Sequence, residues 1–287
     1  MTSGGAPATV GVVGLGNMGG RIARRLASQG LRVLGLDARP GQAAEWGVED
    51  GASLARLAAE AEFVLLSLPS SRQVEAVVEG PGGLLEHARA GLVVVDLTTA
   101  EPASTRRLHA ALAARGTALL DAGISGGPGP AADGTLTLMV GGDAAALERA
   151  RPVLNLVGAK TVYLGAPGNG HAAKAVNNFL NAMNLAATAE AMVVGAAAGL
   201  DPAALLEVIQ TSSGRNFAAE VRFPKILDGD YMDGSLSTAL MVKDLDVYAS
   251  LAASVEAPVT LAAAARAVYE PALEDGLGDR SANRVVD

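Results

Sequence analysis

Cysteine is absent from the sequence. Disulfides, thiolate nucleophiles and Cys-ligated metal are therefore excluded. Lysine is nearly absent: Lys160, Lys174, Lys225 and Lys243 stand against 18 arginines. A chain that uses arginine for generic positive charge keeps lysine by chance, or for something arginine cannot do, such as giving up a proton. No basic run occurs and the net charge is −8, which speaks against a nucleic-acid surface, since phosphate binding needs clustered Lys and Arg. His87, His109 and His171 do not fall into metal-ligand spacing, so no metal is expected, and His171 reads as a bystander near a helix start. The opening "MTSGGAPAT" has neither a basic n-region nor an apolar h-region. No signal peptide is read there, and the expected compartment is the cytoplasm.

What the chain does have is apolar residues, half of its 287 positions. That affords a substantial core and suggests one large domain or two modest ones. The stretch Ala172 to Leu200 is apolar enough to suggest a membrane span. However, it carries Lys174, Asn177, Asn178, Asn181, Asn184 and Glu190, which are expensive in lipid. It reads as a soluble helix of roughly 40 Å, with no membrane partner. Because most of its circumference is apolar, a second subunit is the natural cover, and a homodimer or homotetramer is expected.

From Thr9 to about Leu164 short apolar runs alternate with helical spacing: "TVGVVGL", "RVLGLD", "EFVLLSLP", "LVVVDLT", "TALLDAG" and "TLTLMVGG". This predicts βαβ units in a parallel sheet covered on both faces. Strand signals cease after the Gly/Pro cluster at 165–170, and helical patterns follow. One is "DPAALLEVIQ", with Asp201 as N-cap and Pro202 at the first helical position. The predicted organisation is an α/β Rossmann-type domain over residues 1–166 and an all-α domain over 167–287, joined by the long helix.

"VGVVGLGNMGG" places G-x-G-x-x-G at Gly14, Gly16 and Gly19, after a strand pattern and at the opening of a helix. An acidic residue, Asp37, lies 21 positions beyond Gly16. In that context the pattern points to dinucleotide binding. The first glycine permits the tight turn, the second admits the pyrophosphate, and the third lets helix pack on strand. The helix N-terminus faces the phosphates. Gly14, Leu15, Gly16, Asn17, Met18 and Gly19 are thus expected to line the cofactor. Asp37 ends the second strand, where a carboxylate binds a ribose 2′-hydroxyl and repels a 2′-phosphate. NAD is favoured, with NADP left open because Arg39 could serve a 2′-phosphate.

With "GLGNMGG", "DAGISGG", "GNGHAAKAVNN" and "MVKDL" in this order, nearly the whole chain resembles the β-hydroxyacid dehydrogenase family. "SSGRNFAAEVRFP" looks most like its 3-hydroxyisobutyrate dehydrogenase branch. The resemblance implies a catalytic lysine at Lys174, within G-x-G-x-x-x-K, and a catalytic asparagine at Asn178. It implies a substrate signature over Asp121 to Gly127, with Ser125, Gly126 and Gly127 holding the carboxylate and hydroxyl end. It also implies cofactor contacts from Leu68, Pro69, Thr99 and Lys243. Two departures stand out: Gly123 replaces the usual proline, and Pro130 interrupts a usual Gly-Ala. Lys243 could instead be a solvated lysine beside Asp244.

Lys174, Asn177, Asn178 and Asn181 share one helix face by their spacing. A polar stripe on an apolar rod needs partners, and the C-terminal edge of the strands is where α/β sheets bind ligands. A hydroxy acid that loses hydride must also lose its hydroxyl proton, so a general acid–base suits both directions. Free lysine is too basic for that task; desolvation would lower its pKa. Arg215 could match a second anionic group, or sit in a surface loop. The resulting expectation is an NAD(P)-dependent dehydrogenase of a small 3-hydroxy acid or semialdehyde. Two alternatives remain: an imine reductase-like enzyme, in which another residue usually stands at the lysine's place, or a cofactor-binding regulatory module without chemistry.

Overall fold

The structure, a computed structural model, describes residues 8–286. The chain folds as two compact units, Met1–Lys174 and Ala175–Asp287. The Gly/Pro turn read from the sequence marks where strands end. The packing boundary lies inside the helix that follows it.

The first unit is built on β1 (Thr9–Val13), β2 (Arg32–Leu36), β3 (Glu49–Asp50), β4 (Phe63–Leu66), β5 (Val93–Asp96), β6 (Ala118–Ser125), β7 (Leu136–Gly141) and β8 (Gly158–Tyr163). They form one sheet in the order β3-β2-β1-β4-β5-β6-β7-β8. Its helices are α1 (Gly19–Ser28), α2 (Gln42–Trp46), α3 (Leu54–Glu60), α4 (Ser71–Glu79), α5 (Pro102–Ala113), α6 (Pro128–Asp133) and α7 (Ala144–Val157).

Alternate strand residues supply two cores, one on each face of the sheet. Val10, Val12, Phe63, Leu65, Val93, Val95, Leu120 and Ala122 join one cluster. Val13, Val64, Leu66, Val94 and Leu119 join the other. Because both faces are dry, the strands read as continuous apolar runs in the sequence.

The expectation of a wholly parallel sheet needs correction at one pair: β6 and β7 are antiparallel, with Ser125 opposite Thr137 and Asp121 opposite Gly141. A parallel return needs a crossover of a dozen or more residues, and residues 126–135 are too few. Two strands carry no clear signal in the sequence. β3 is two residues long. β8, "GAKTVY", is an edge strand with largely solvated residues, so it lacks the apolar run that betrays the others. Its Lys160 is exposed, a usual guard on a sheet edge.

Helix α8 (Asn169–Ala197, 29 residues) leaves the first unit and continues into the second. The second unit is helical: α9 (Pro202–Thr211), a π-helical turn at Ala218–Arg222, α10 (Phe223–Leu227), α11 (Thr238–Ser254), α12 (Thr260–Glu274) and a 3₁₀ turn at Ala282–Val286. Asp201 caps α9 by accepting from the Ala204 N–H at 2.9 Å, with Pro202 in the first turn as its sequence predicts. The core is aliphatic around Ala182, Leu185, Met192, Met241 and Leu245. Phe179 of α8 stacks on Tyr248 of α11 at 4.3 Å between ring centroids. Length and composition alone would let α8 pass for a membrane span; its Ala182, Leu185, Ala186, Ala189 and Met192 are buried in this core.

Candidate active site

The glycine-rich loop after β1 has the steric logic its spacing suggests. Gly14 has φ +87°, and a Cβ there would lie 2.3 Å from the Ser67 carbonyl. A Cβ on Gly19 would lie 1.9 Å from the Gly14 carbonyl. Both positions therefore require glycine. At Gly16 the reason differs: a Cβ would meet no protein atom within 4 Å. None of the described residues demands glycine at that position, and the missing side chain leaves an open cradle at the start of α1. That cradle fits a pyrophosphate approaching the backbone.

Asp37 closes the loop from the end of β2. Its carboxylate accepts from the Leu15 N–H at 2.7 Å and from the Arg39 N–H at 2.9 Å. The Arg39 guanidinium lies 3.3 Å away and also donates to Gln42 at 2.8 Å. Burial pushes this carboxyl up, but the Arg39 and Leu15 N–H groups and the Arg39 charge outweigh it and hold it below its ordinary value. Asp37 is thus a carboxylate at neutral pH.

Trp46, the only tryptophan of the chain, braces the same loop. Its indole donates to the Leu15 carbonyl at 2.8 Å, and the Arg24 guanidinium covers its ring at 4.7 Å. Gly20 admits the ring, since a Cβ there would come within 2.0 Å of it.

Leu68 and Pro69 follow β4, and Thr98 and Thr99 follow β5, on the same C-terminal edge. The Leu68 N–H donates to Thr98 Oγ1 at 3.2 Å, and the Thr98 N–H to Asp96 Oδ1 at 3.0 Å. Ser125 ends β6 on that edge, followed by Gly126 and Gly127 with φ +140° and +83°. The substrate signature therefore begins as strand and turns at its glycines.

Lys174 is partly buried and belongs with the sheet unit. The reason is a buried tether. The Asp121 carboxylate, on β6 and 0% exposed, accepts from the Gly168 N–H at 2.8 Å and from the His171 N–H at 2.9 Å. Gly168 immediately precedes α8 and His171 lies in its first turn, where N–H groups lack intrahelical partners and an anion is favoured. Gly170 lets the turn approach: a Cβ there would lie 2.3 Å from the Met139 carbonyl and 2.5 Å from that of Asp121. Gly170 of G-x-G-x-x-x-K is thus a steric requirement of the docking, while Gly168 takes the left-handed φ of +86°. The departure at Gly123 acquires a reason as well, since a Cβ would sit 2.5 Å from the Lys174 Cβ. The base of the lysine side chain is packed directly on β6.

His171 is not a bystander. Its side chain is fully buried, shares a 2.7 Å hydrogen bond with Thr105 Oγ1, and donates from Nε2 to the Asp96 carbonyl at 3.2 Å. It links α8 to α5 and to the end of β5. Burial pushes the Asp96 carboxyl above its ordinary value, against the pull of His171 and the Thr98 hydrogen bonds.

In the helical unit Asn178 is 5% exposed, and its amide donates to Asp244 Oδ2 on α11. Asp244 is buried, and Lys243 Nζ lies 2.7 Å from its Oδ1. Lys243 is therefore ion-paired over a buried carboxylate, with its side chain only 25% exposed. Asn177 is exposed and donates to Asn178 Oδ1 at 3.4 Å. Arg215 is 69% exposed and pairs with Glu220 at 2.8 Å. Sequence reasoning overlooked Asp96, Thr105 and Trp46, and gave Asp121, His171 and Asp244 no structural role. The only available signal was the oddity of acidic residues closing the apolar runs "VVVD" and "ALLD".

Comparison with known proteins places these features in context. Residues 9–165 match the family model for the NAD binding domain of 6-phosphogluconate dehydrogenase. Residues 168–287 match that for the NAD-binding segment of NADP-dependent 3-hydroxyisobutyrate dehydrogenase. The 2-(hydroxymethyl)glutarate dehydrogenase of Eubacterium barkeri is 36% identical, covering 96% of this chain and 93% of that protein. The NAD-dependent L-serine dehydrogenase of Pseudomonas aeruginosa is 38% identical, covering 94% of each. Among solved structures, Mycobacterium tuberculosis 3-hydroxyisobutyrate dehydrogenase with L-serine superposes with a TM-score of 0.89 at 33% identity, over 98% of both chains. An imine reductase of Streptomyces aurantiacus shares the architecture alone, with a TM-score of 0.66 at 21% identity.

Proposed function

The chain belongs to the β-hydroxyacid dehydrogenase family, as an NAD(P)-dependent oxidoreductase acting on the CH–OH group of small hydroxy acids, and on that premise we propose that Lys174 is its general acid–base. The observation that carries this reading is the seating of Lys174: α8 is pinned by Asp121 to the strand that ends in Ser125, and the lysine packs on Gly123. When bound, the nicotinamide supplies the hydride acceptor or donor. In oxidation, a neutral Lys174 amine takes the hydroxyl proton; in reduction, the ammonium returns it to the carbonyl oxygen. Ser125, Gly126 and Gly127 hold the substrate's carboxylate end. Asn178, oriented by Asp244, directs its remaining acceptor capacity to the reacting group. Gly14 to Gly19, Leu68, Pro69, Thr99 and Lys243 line the dinucleotide.

The test is cofactor absorbance with a panel of 3-hydroxy acids and their semialdehydes, using both NAD and NADP. Turnover of at least one small 3-hydroxy acid is expected. Cofactor binding without any turnover would leave a regulatory module instead.

NAD is the preferred cofactor in this reading, because the ionised Asp37 repels a 2′-phosphate. Asp37→Ala is expected to shrink the NAD-over-NADP ratio of kcat/KM by about tenfold, the size of one charge-assisted contact. Both values should fall, since the Leu15 N–H loses its acceptor; the ratio is the diagnostic quantity. An unchanged ratio removes Asp37 as the selector.

A homo-oligomer, dimer or tetramer, also follows from this reading. Val176, Leu180 and Val194 lie on one side of α8 by helical spacing and are 44%, 52% and 62% exposed. Light scattering after size exclusion should give a mass of two or four chains, and Leu180→Glu should lower it; a monomer at micromolar concentration refutes this. The partner is taken to be a small molecule in the cytoplasm, with neither nucleic acid nor membrane; the net charge of −8 supports the first exclusion.

A further inference from the structure

Arg222 closes the π-helical turn Ala218–Arg222 in the helical unit. Such turns are rare and occur frequently at functional sites. Its guanidinium is partly buried and donates from Nη1 to Asn283 Oδ1 at 2.8 Å and from Nη2 to Asn181 Oδ1 at 2.9 Å. Both acceptors are neutral amides. Among the described residues no carboxylate lies within ion-pairing distance of it. Tyr269, which interacts electrostatically with it, donates its hydroxyl to the Ala182 carbonyl at 2.9 Å. Most other arginines here that make side-chain ion pairs do so at the surface, as Arg32, Arg56, Arg107 and Arg266 do.

A partly desolvated charge that has only dipoles for company among the described residues is poorly compensated by them. Burial accordingly pushes the Arg222 guanidinium below its ordinary pKa. The two amides orient the fork and leave its remaining N–H groups without an acceptor among the described residues. The Asn181 amide nitrogen has none there either. Asn181 is three residues beyond Asn178 on α8, about 5 Å along the helix. The donors therefore lie one turn from the asparagine assigned to the reacting end of the substrate.

We propose that Arg222, oriented by Asn181 and Asn283, is an anion subsite that binds a second carboxylate of the substrate, so that this enzyme prefers dicarboxylic 3-hydroxy acids. This rests on the reading of Asn178 as a substrate contact. It assigns the second-anion role to Arg222, not to the exposed, Glu220-paired Arg215.

The experiment compares 2-(hydroxymethyl)glutarate with 2-(hydroxymethyl)pentanoate, the same 3-hydroxy acid with a methyl in place of the distal carboxylate. For the wild-type enzyme kcat/KM should favour the dicarboxylate by roughly 10- to 100-fold, the range of a hydrogen bond to a charged group. Arg222→Gln should bring that ratio near one, with the pentanoate value within about threefold of wild type; Arg222→Lys should fall between.

Equal losses for both substrates would make Arg222 a structural staple and overturn the subsite, as would a wild-type ratio near one. Should Arg222→Gln fail to fold, the wild-type holoenzyme decides. Glutarate should then inhibit competitively against the hydroxy acid, and pentanoate at least tenfold more weakly. Equal inhibition, or non-competitive inhibition by glutarate as at a separate anion site, overturns the proposal. Turnover of the pentanoate without preference sinks this subsite alone. Absence of turnover with both substrates sinks the catalytic reading and the subsite with it.

Discussion

Replacing Lys174 by alanine is expected to lower kcat by about a thousandfold or more while leaving the Kd of the reduced cofactor within about threefold of wild type. The size follows from what a positioned general acid–base contributes, roughly 10²–10⁴. The split follows from the geometry. The loop Gly14–Gly19, its clamp Asp37 and the brace Trp46 all lie in the glycine-loop region and do not depend on the lysine side chain. Lys174→Arg should be nearly as inactive, because arginine keeps the charge and does not deprotonate. This matters in a chain that otherwise prefers arginine. Turnover close to wild type in Lys174→Ala would remove the residue from the mechanism, and a large loss of cofactor affinity would make its role one of binding.

The second large effect is expected at Asp121, which touches no ligand in the proposed mechanism. Asp121→Ala strips the acceptor from two buried backbone N–H groups, those of Gly168 and His171. Each unsatisfied donor costs about 1–3 kcal/mol, and water has little access to a site this deep. The melting temperature should drop by roughly 10 °C, given a few degrees per kcal/mol for a protein of this size. Activity should fall further than stability explains, because the first turns of α8 carry Lys174, and a small misplacement of a catalytic group is costly. Asp121→Asn keeps the shape and one acceptor, and should recover most of the stability with a kcat still reduced about tenfold or more. Differential scanning calorimetry and steady-state kinetics on the same samples separate the two effects. A wild-type melting temperature in Asp121→Ala would show that α8 is held by something other than this carboxylate.

Much of the local geometry around the candidate site was legible as text, and particular residues show why. The roles of Gly14 and Gly19 follow from a turn and a close approach only a few residues apart, so a local pattern carries them. Asp37 stands out in the sequence because a βαβ unit has a nearly fixed length, and the structure seats it against the Leu15 N–H. The N-cap at Asp201 and the run of helices after it are likewise local, set by one side chain and its neighbours three and four positions on. The two-sided burial of the sheet is also local information, visible as continuous apolar runs.

Asp121 and His171 mark the other side of that line. The carboxylate meets its helix across 47 and 50 residues, and His171 meets Thr105 across 66. Asn178 meets Asp244 across 66. No periodicity encodes such a pairing, since any buried acid, histidine or asparagine reads the same until the chain has chosen its neighbours. The antiparallel turn of β7 is similar: its residues suit a strand of either direction, and the shortness of the link from β6 sets which one forms. Helix and strand patterns in this chain were written by interactions reaching a few positions. The anchoring of Lys174 and the amide-oriented fork of Arg222 depend on groups brought together from distant segments, because the energy of a buried charge is set by what surrounds it in space.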